Sequence, residues 1–170
     1  THTRSSAASD VYKRQFSHFA ELPAQKNENI DIISTTKLAL EIFNEQNIIF
    51  QSKLGSLNVK IDRTNLIRVI TNLVKNAIQA TENIKDSKII VSVKKLRNKA
   101  IIEIEDNGIG IPRKNRDKIF EPKFTTKSKG MGLGLSIIKN LVTNYNGKID
   151  FVSKKGKTIF KIELPIHKNV

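Results

Sequence analysis

The amino-acid sequence predicts a two-layer α/β sandwich, in which three main helices cover one face of a mixed, mostly antiparallel sheet. The first observation behind this prediction is the segment 64–81, where apolar residues recur at the i, i+3, i+4, i+7 spacing of a helix that buries one face. The second is a set of four segments that alternate apolar and polar residues, as half-buried strands do. These segments are 88–96, 100–105, 148–153 and 158–164, and the first two, which flank the turn 97–99, are predicted to form a hairpin.

Length and composition fit one soluble domain. The chain has 170 residues, of which 38% are hydrophobic, and no stretch approaches the roughly 18 consecutive apolar residues of a membrane-spanning helix. It contains no cysteine, which excludes disulfide scaffolds, thiolate zinc sites and cysteine nucleophiles. The lack of cysteine and of a visible secretory signal favours a cytoplasmic location.

The chain is strongly basic, with 30 Lys and Arg against 16 Asp and Glu, a formal charge of +14. Such a charge attracts nucleic acid, acidic lipid or a polyphosphate ligand. Proteins that bind nucleic acid often interleave aromatic with basic residues, yet this chain has no Trp and two Tyr. We therefore expect no nucleic-acid partner.

Periodicity divides the chain into four parts. Residues 1–15 are rich in Ser and Ala and lack periodicity, so they are expected to be disordered adapter-like sequence outside the fold. Residues 16–29 have a short apolar patch that ends at Pro23, which is typical of a helix tail followed by a linker. Residues 30–166 are predicted to form the folded domain, and 167–170 a tail.

The first part of the domain is predicted as a helix and two strands. Residues 31–47 have an amphipathic pattern, which favours a helix. Two short apolar runs, 48–54 and 57–61, are separated by a Gly-Ser pair and are predicted as strands with a turn between them.

The helix at 64–81 also has an unusual polar edge. It consists of Asn65, Arg68, Asn72, Asn76 and Gln79. Asparagine is a mediocre helix former, because its amide competes for backbone hydrogen bonds. Two interpretations stay open: a solvated face, or an amide oxygen that coordinates a hard cation such as Mg²⁺.

The chemistry is predicted to centre on Asp106, which follows the apolar alternation of 101–105 and so ends a strand. Gly108 and Gly110 allow a tight turn and a close approach to a ligand, and Pro112 prevents the strand from continuing. A carboxylate held there could accept a hydrogen bond from an exocyclic amine such as that of adenine. A turn containing an incidental Asp is the alternative.

A basic loop with little periodicity follows, from 112 to 130. Its seven basic residues are Arg113, Lys114, Arg116, Lys118, Lys123, Lys127 and Lys129, against Asp117 and Glu121. A loop this long in a compact domain is usually functional or disordered, and its charge suits phosphates. It ends at three alternating glycines, 130, 132 and 134, which open a helix running to about residue 145. Free amides and the helix dipole form an anion site there.

In this order, the features resemble the ATP-binding domain of the histidine-kinase, Hsp90, gyrase and MutL superfamily, which has the Bergerat fold. Residues 72–77 resemble its N box, 106–110 its G1 box, 120–124 its F box and 130–135 its G2 box. The resemblance covers residues 16–165.

Three details indicate the branch of this superfamily, and the last two resemble sensor kinases of the nitrogen-regulation type. Asn72 stands where gyrase and Hsp90 relatives carry a catalytic Glu that activates water, which implies phosphoryl transfer rather than hydrolysis. The Phe-Thr-Thr-Lys run at 124–127, followed closely by the glycines, is similar to that branch. So is the segment 16–20, which resembles the end of the second dimerisation helix.

The resemblance implies ATP and Mg²⁺ as cofactors. By resemblance, Asp106 receives the adenine amine, Asn76 binds Mg²⁺ with support from Asn72, and Lys127 and Lys75 add charge near the phosphates. Asn72, Asn76 and Lys127 are the implied catalytic residues. The further implied nucleotide contacts are Gly108, Gly110, Ile111, Phe120, Thr126, Gly130, Gly132, Leu133, Gly134, Leu135 and Thr158.

A phosphoacceptor is not evident. The family's acceptor His is followed by an acidic residue and then by Asn or Pro, a pattern that His2, His18 and His167 do not match. The resemblance therefore implies a kinase whose target is on a dimerisation domain outside this chain. The parent protein is expected to be a homodimer, with or without a membrane anchor, that passes phosphate to a response-regulator receiver domain. The alternatives are an anti-sigma-type serine kinase and a nucleotide-sensing module without transfer activity.

Overall fold

Residues 26–44, 47–122 and 134–167 are described by the computed structural model of the chain. The strands are β1 (Asn29–Asp31), β2 (Ile48–Gln51), β3 (Asn58–Lys60), β4 (Ile89–Leu96), β5 (Lys99–Asp106), β6 (Lys148–Lys154) and β7 (Lys157–Pro165). The helices are α1 (Ile32–Leu40), α2 (Arg63–Thr81), α3 (Arg113–Arg116) and α4 (Gly134–Asn144). No helix within these ranges is both long and apolar enough to cross a membrane.

The main sheet has five strands in the order β2-β4-β5-β7-β6. β2 pairs with β4 in parallel and the other pairs are antiparallel, so the predicted mixed, mostly antiparallel sheet is confirmed. The predicted hairpin joins β4 to β5 in the register Ile89↔Asp106 to Leu96↔Lys99. Arg97 in its turn has a φ of 53°, a conformation that tight hairpin turns require.

Helix α2 lies on β4 and β5, and α4 lies on α2 and β6. The buried residues of α2 follow the predicted period: Leu66, Val69, Ile70, Leu73, Val74 and Ala77. Asp62 begins the helix by accepting a hydrogen bond from the Asn65 N–H (3.0 Å), a standard N-cap. The α/β sandwich is thus built around α2.

The prediction for residues 31–47 was too long, because α1 ends at Leu40. Apolar residues continue to Phe43 for another reason: Leu40 and Phe43 pack against the core on either side of the turn that leads into β2. Ile42, which falls in this turn, is 61% exposed. Apolar content alone therefore did not mark the end of the helix.

The two predicted strands that follow α1 do not pair with each other. β2 joins the main sheet, whereas β3 pairs with β1 in a separate two-stranded sheet. β1 was not predicted, since three residues are too few for a visible alternation. It begins at Asn29, the last residue of the predicted linker.

The short helix α3 was also not predicted, since a single turn shows no periodicity. Residues 1–25 and 168–170 lie outside the described ranges. The boundaries proposed for the first 15 residues, the helix tail and the C-terminal tail therefore stay predictions.

Candidate functional site

Asp106 is the last residue of β5, as predicted, and it is 3% exposed. The register of the sheet places it opposite Thr158 of β7, and Thr158 opposite Ser153 of β6. Thr158 is also 3% exposed, and its hydroxyl lies 2.8 Å from that of Ser153. Three polar side chains thus form a row across neighbouring strands at one end of the sheet.

Burial dominates the electrostatics of Asp106. It raises the pKa of this carboxyl above its ordinary value, while the hydrogen bond from Gly108 acts in the opposite direction and the charge of Glu105 raises the pKa further. The Gly108 N–H donates to Oδ1 over 2.9 Å. A carboxylate has about four acceptor positions, so this bond leaves capacity for a ligand donor.

The loop after Asp106 is held from two sides. The Ile109 N–H donates to the Ala80 carbonyl in the last turn of α2 (3.1 Å). On the other side, the Gly156 N–H in the β6–β7 turn donates to the Gly108 carbonyl (2.9 Å). The backbone beside the carboxylate is therefore fixed to a helix and to a hairpin.

The two glycines of this loop are required by protein contacts. A Cβ on Gly108 would lie 2.4 Å from the Ala80 carbonyl oxygen and 2.8 Å from the Asp106 Oδ1. Gly110 has a φ of +78°, and a Cβ there would lie 2.6 Å from the Lys154 carbonyl oxygen. The sequence prediction explained the glycines by a close approach to ligand, whereas the contacts described here are with the protein's own backbone.

Asn107 anchors the same loop, a role that sequence reasoning missed. Its Oδ1 accepts from the Lys88 N–H (2.8 Å) and its Nδ2 donates to the Asp86 carbonyl (2.7 Å). These bonds tie the loop to the connection between α2 and β4. The signal available in the sequence was an Asn in a turn, which often bonds to nearby backbone.

Only part of the polar edge of α2 faces this site. Asn72, Asn76 and Ala80 are spaced by four residues and so share one face of the helix, and Ala80 contacts the loop directly. The Asn72 Nδ2 donates to the Arg68 carbonyl (2.8 Å), and both asparagines are half-buried. Lys75, which was predicted to contact nucleotide, is exposed.

Asn65 has a different function from the other asparagines of α2. Its Nδ2 donates to the Tyr145 hydroxyl (3.1 Å), which joins α2 to the turn after α4. For this member of the polar edge, neither a solvated face nor a cation ligand describes the contact, which joins two parts of the fold.

The residues predicted to contact phosphate are described in part. Phe120 is half-buried and packs edge-to-face on Phe151, with ring centroids 5.9 Å apart. The Lys139 ammonium lies 5.6 Å from the Phe120 ring centroid. Gly134 begins α4 and is exposed, while Leu135 is half-buried. The predicted site residues Thr126, Lys127, Gly130, Gly132 and Leu133 lie outside the described residues, as does Phe124.

Two other residues of the site escaped sequence reasoning. Ser153 accepts a hydrogen bond from the Ile111 N–H (2.8 Å), and Arg116 donates to the backbone of both Ile111 and Ser153. Their sequence signals, a Ser in a strand and an Arg among other basic residues, were too common to be informative. In the described part of the chain, no three His, Cys, Asp or Glu side chains group as a metal site would require.

Comparison with known proteins adds a family match. The family model described as histidine kinase-, DNA gyrase B- and HSP90-like ATPase matches residues 61–168. The chain is 33% identical to the sensory histidine kinase/phosphatase NtrB of Vibrio alginolyticus over 158 residues, which are 85% of this chain and 45% of NtrB. The chain spans 19% of the length of one curated relative and 33% of another.

Solved structures give similar matches. The nucleotide-free catalytic domain of the histidine kinase ThkA superposes with a TM-score of 0.73 at 31% identity, covering 82% of this chain and 95% of that domain. ThkA in complex with the response regulator protein TrrA matches with a TM-score of 0.76 over 95% of this chain and 48% of that one. At 24% identity, the second match shows the fold alone.

Proposed function

This chain belongs to the family of histidine kinase-, DNA gyrase B- and HSP90-like ATPases, and from this premise we propose that it is the ATP-binding catalytic domain of a two-component sensor histidine kinase. In this proposal, the γ-phosphoryl group of ATP passes to a His on a dimerisation domain. Catalysis of such a transfer depends mainly on positioning and on charge neutralisation.

The observation that carries the proposal is the buried carboxylate of Asp106 at the end of β5, beside the Thr158 hydroxyl. A buried acid on the apolar face of a sheet is costly unless donors satisfy it, and the Gly108 N–H uses only part of the acceptor capacity of this carboxylate. The exocyclic amine of adenine is a donor of the right kind. Gly108, Gly110 and Ile111 form the backbone next to this carboxylate and are proposed to border the base.

Mg²⁺ would be held by Asn76, with Asn72 in support. The donor set fits, because Mg²⁺ takes oxygen ligands and usually keeps several waters, so that one amide oxygen and the ligand's phosphates suffice. The bond from the Asn72 Nδ2 to the Arg68 carbonyl orients that amide on the shared face of α2. When bound, Mg²⁺ would neutralise phosphate charge. Lys75, Lys127 and the amides at 130–135 are proposed to contribute to the same phosphate site.

The phosphoryl acceptor and the later partner are proposed from the relatives. The catalytic domain of ThkA is 31% identical to this chain, and ThkA has been crystallised with a response regulator protein, which supports a receiver domain as the next partner of this kinase. NtrB is named as a kinase and phosphatase, and its match supports transfer to protein rather than hydrolysis alone. ATP as the substrate and the lack of cysteine support a cytoplasmic location.

Calorimetry of the 170-residue chain with Mg²⁺-ATP tests the nucleotide site. We expect Asp106→Asn to weaken binding by about 1.5–3 kcal/mol, the range for hydrogen bonds to a charged group. Glu105→Gln is the matched control, because this half-buried acid is adjacent in β5 and forms an ion pair with Lys157 (2.9 Å). Equal affinities of Asp106→Asn and the unchanged chain would exclude Asp106 from the site.

Phosphotransfer is tested with γ-labelled ATP and a supplied dimerisation domain from an NtrB-type kinase. Acid-labile label should appear on the supplied His and not on this chain. Label on serine would favour the anti-sigma-type kinase, and nucleotide binding without any transfer would favour a nucleotide-sensing module. Stoichiometric label on His18 or His167 would contradict an external acceptor.

A further inference from the structure

We propose that Arg116 and Ser153 are positioning residues for the nucleotide base, which act by fixing the Thr158 hydroxyl and the Ile111 backbone beside Asp106. This inference rests on the proposed function. Neither residue is proposed to touch the nucleotide. Together with Ile111 they form a set of contacts, here called the clamp, that joins the loop after Asp106 to the edge strand β6.

The clamp is a closed ring of hydrogen bonds. The Ile111 N–H donates to the Ser153 Oγ (2.8 Å), and the Arg116 Nε donates to the Ile111 carbonyl (3.1 Å). A second guanidinium nitrogen of Arg116, Nη2, donates to the Ser153 carbonyl. Both backbone polar groups of Ile111 are therefore used, and the loop cannot shift without breaking contacts to β6.

Arginine is suited to this place by its shape. Its planar guanidinium presents several donors in a fixed fork and so reaches two carbonyls at once, whereas the lysine ammonium is a compact point charge. Arg116 is half-buried, while the neighbouring Arg113, Lys114 and Lys118 are exposed. Arg116 is thus set apart from the basic residues whose charge was assigned to phosphates.

The clamp also orients a hydroxyl. Ser153 has one proton, and the Thr158 Oγ1 lies 2.8 Å from the Ser153 Oγ. The Ser153 Oγ accepts from the Ile111 N–H, and either hydroxyl can donate in its contact with Thr158; we assign the Ser153 proton to that contact, the direction that leaves the Thr158 proton for a ligand. Thr158 then keeps its own proton for a ligand, in the same row as the acceptor Asp106.

An acceptor at Asp106 beside a donor at Thr158 matches the hydrogen-bonding groups of adenine. The 6-amino group is a donor for Asp106, and the neighbouring ring nitrogen is an acceptor for the Thr158 hydroxyl. Guanine presents an acceptor oxygen at position 6 and a donor N–H beside it, which reverses both requirements. Loss of Ser153 should therefore reduce the preference for ATP over GTP as well as the affinity.

The test is calorimetric binding of Mg²⁺-ATP and Mg²⁺-GTP to the full chain, with thermal denaturation of each variant. We expect Ser153→Ala and Arg116→Lys to weaken ATP binding about 5- to 10-fold, in keeping with the typical net contribution of one intramolecular hydrogen bond. Ser153→Thr keeps the hydroxyl and should bind like the unchanged chain. Arg63→Gln removes one exposed charge from the first turn of α2 and should change affinity less than about 2-fold.

A double-mutant cycle separates positioning from general stability. If Ser153 acts through Thr158, Ser153→Ala should have almost no further effect on ATP affinity in a Thr158→Val background. In the background of the unchanged chain, Ser153→Ala should lower the ratio of ATP affinity to GTP affinity. A role limited to fold stability would lower the melting temperature without moving this ratio. Unchanged ATP affinity of Ser153→Ala and Arg116→Lys would overturn the clamp. Equal effects of Ser153→Ala in the two backgrounds would overturn its action through Thr158.

The unchanged chain and Asp106→Asn distinguish the two levels of inference. If the unchanged chain fails to bind ATP, the proposed function and the clamp fall together. If it binds ATP, and Asp106→Asn weakens binding while the clamp variants do not, the clamp alone is wrong.

Discussion

Gly108 shows how single residues connect the site to the fold. Its N–H donates to the Asp106 carboxylate, and its carbonyl accepts from the Gly156 N–H, so one residue holds both the acid and the β6–β7 turn. Its α-carbon faces the Ala80 carbonyl so closely that no side chain fits. The glycine is therefore required by packing as well as by any ligand.

Gly108→Ala should lower the free energy of unfolding by about 1–3 kcal/mol, the usual cost of forcing an extra group into a packed site. It should also weaken ATP binding, because the Asp106 carboxylate must move with the loop. Gly55→Ala is the control, since a Cβ there meets nothing within 4 Å. Urea denaturation measures the stability of both variants, and equal stabilities would contradict the packing argument.

The N-cap residues of α1 and α2 differ in the number of backbone N–H groups that each one accepts from. Asp62 caps α2 through one N–H, that of Asn65. Asp31 caps α1 through the Ile33 and Ser34 N–H groups (both 3.2 Å) and also accepts from the distant Leu57 N–H (2.9 Å). Burial alone would raise the pKa of Asp31, but these N–H donors together hold it below its ordinary value. The cap of α1 thus also joins the segment before β3 to the helix.

Asp31→Ala should therefore cost more stability than Asp62→Ala. We expect about 1 kcal/mol for Asp62→Ala, typical of one N-cap. For Asp31→Ala we expect roughly 2–3 kcal/mol, because the Leu57 N–H also loses its partner. Urea unfolding followed by circular dichroism measures both changes. A smaller loss for Asp31→Ala would mean that water replaces the lost acceptor at little cost.

At the scale of the whole molecule, charge is distributed unevenly. The solvent-facing side of the main sheet carries five ion pairs among the described residues: Lys94–Glu103, Lys99–Glu163, Lys148–Asp150, Lys157–Glu105 and Lys161–Glu163. Five lysines and four acids nearly balance there, so most of the formal charge of +14 lies elsewhere. This leaves the basic excess available for an anionic ligand.

Glu163 gives this face a measurable pH dependence. Hydrogen bonds from Lys161 and then from Lys99 lower its pKa from 4.5 to about 2. A lowered pKa adds stability that is complete above 4.5 and is lost as the pH falls toward 2. We expect a contribution of about 1 kcal/mol, because Lys99 is exposed and Lys161 is half-exposed, so that water screens the pairs. The substitution Glu163→Gln should remove this contribution to stability at pH 7.

Thermal denaturation between pH 7 and pH 2 checks this expectation. Below pH 4.5, the melting temperature of Glu163→Gln should change less with pH than that of the unchanged chain. Glu28→Gln removes an exposed acid at the start of the described residues and is the control. Identical pH profiles for Glu163→Gln and the unchanged chain would show that the two lysines contribute nothing.

By itself, the sequence determined the features that depend on local periodicity. They are the extent of α2, the β4–β5 hairpin, the strands β6 and β7, and the position of Asp106 at a strand end. The order of its motifs also determined the family, which the family model confirms. Periods of 3.6 and 2 are visible in one segment at a time, so these predictions needed no knowledge of neighbours.

Only the tertiary structure decided which distant segments meet. Three contacts join residues far apart in the chain. They are the pairing of β1 with β3, the position of Asp106 beside Thr158 and Ser153, and the bonds of Arg116 to β6. Local patterns carry no information on such pairings, because a strand alternates in the same way whichever neighbour it has. The functions of Asn65, Gly108 and Arg116 follow from those neighbours, and so they could not be predicted from residue type alone.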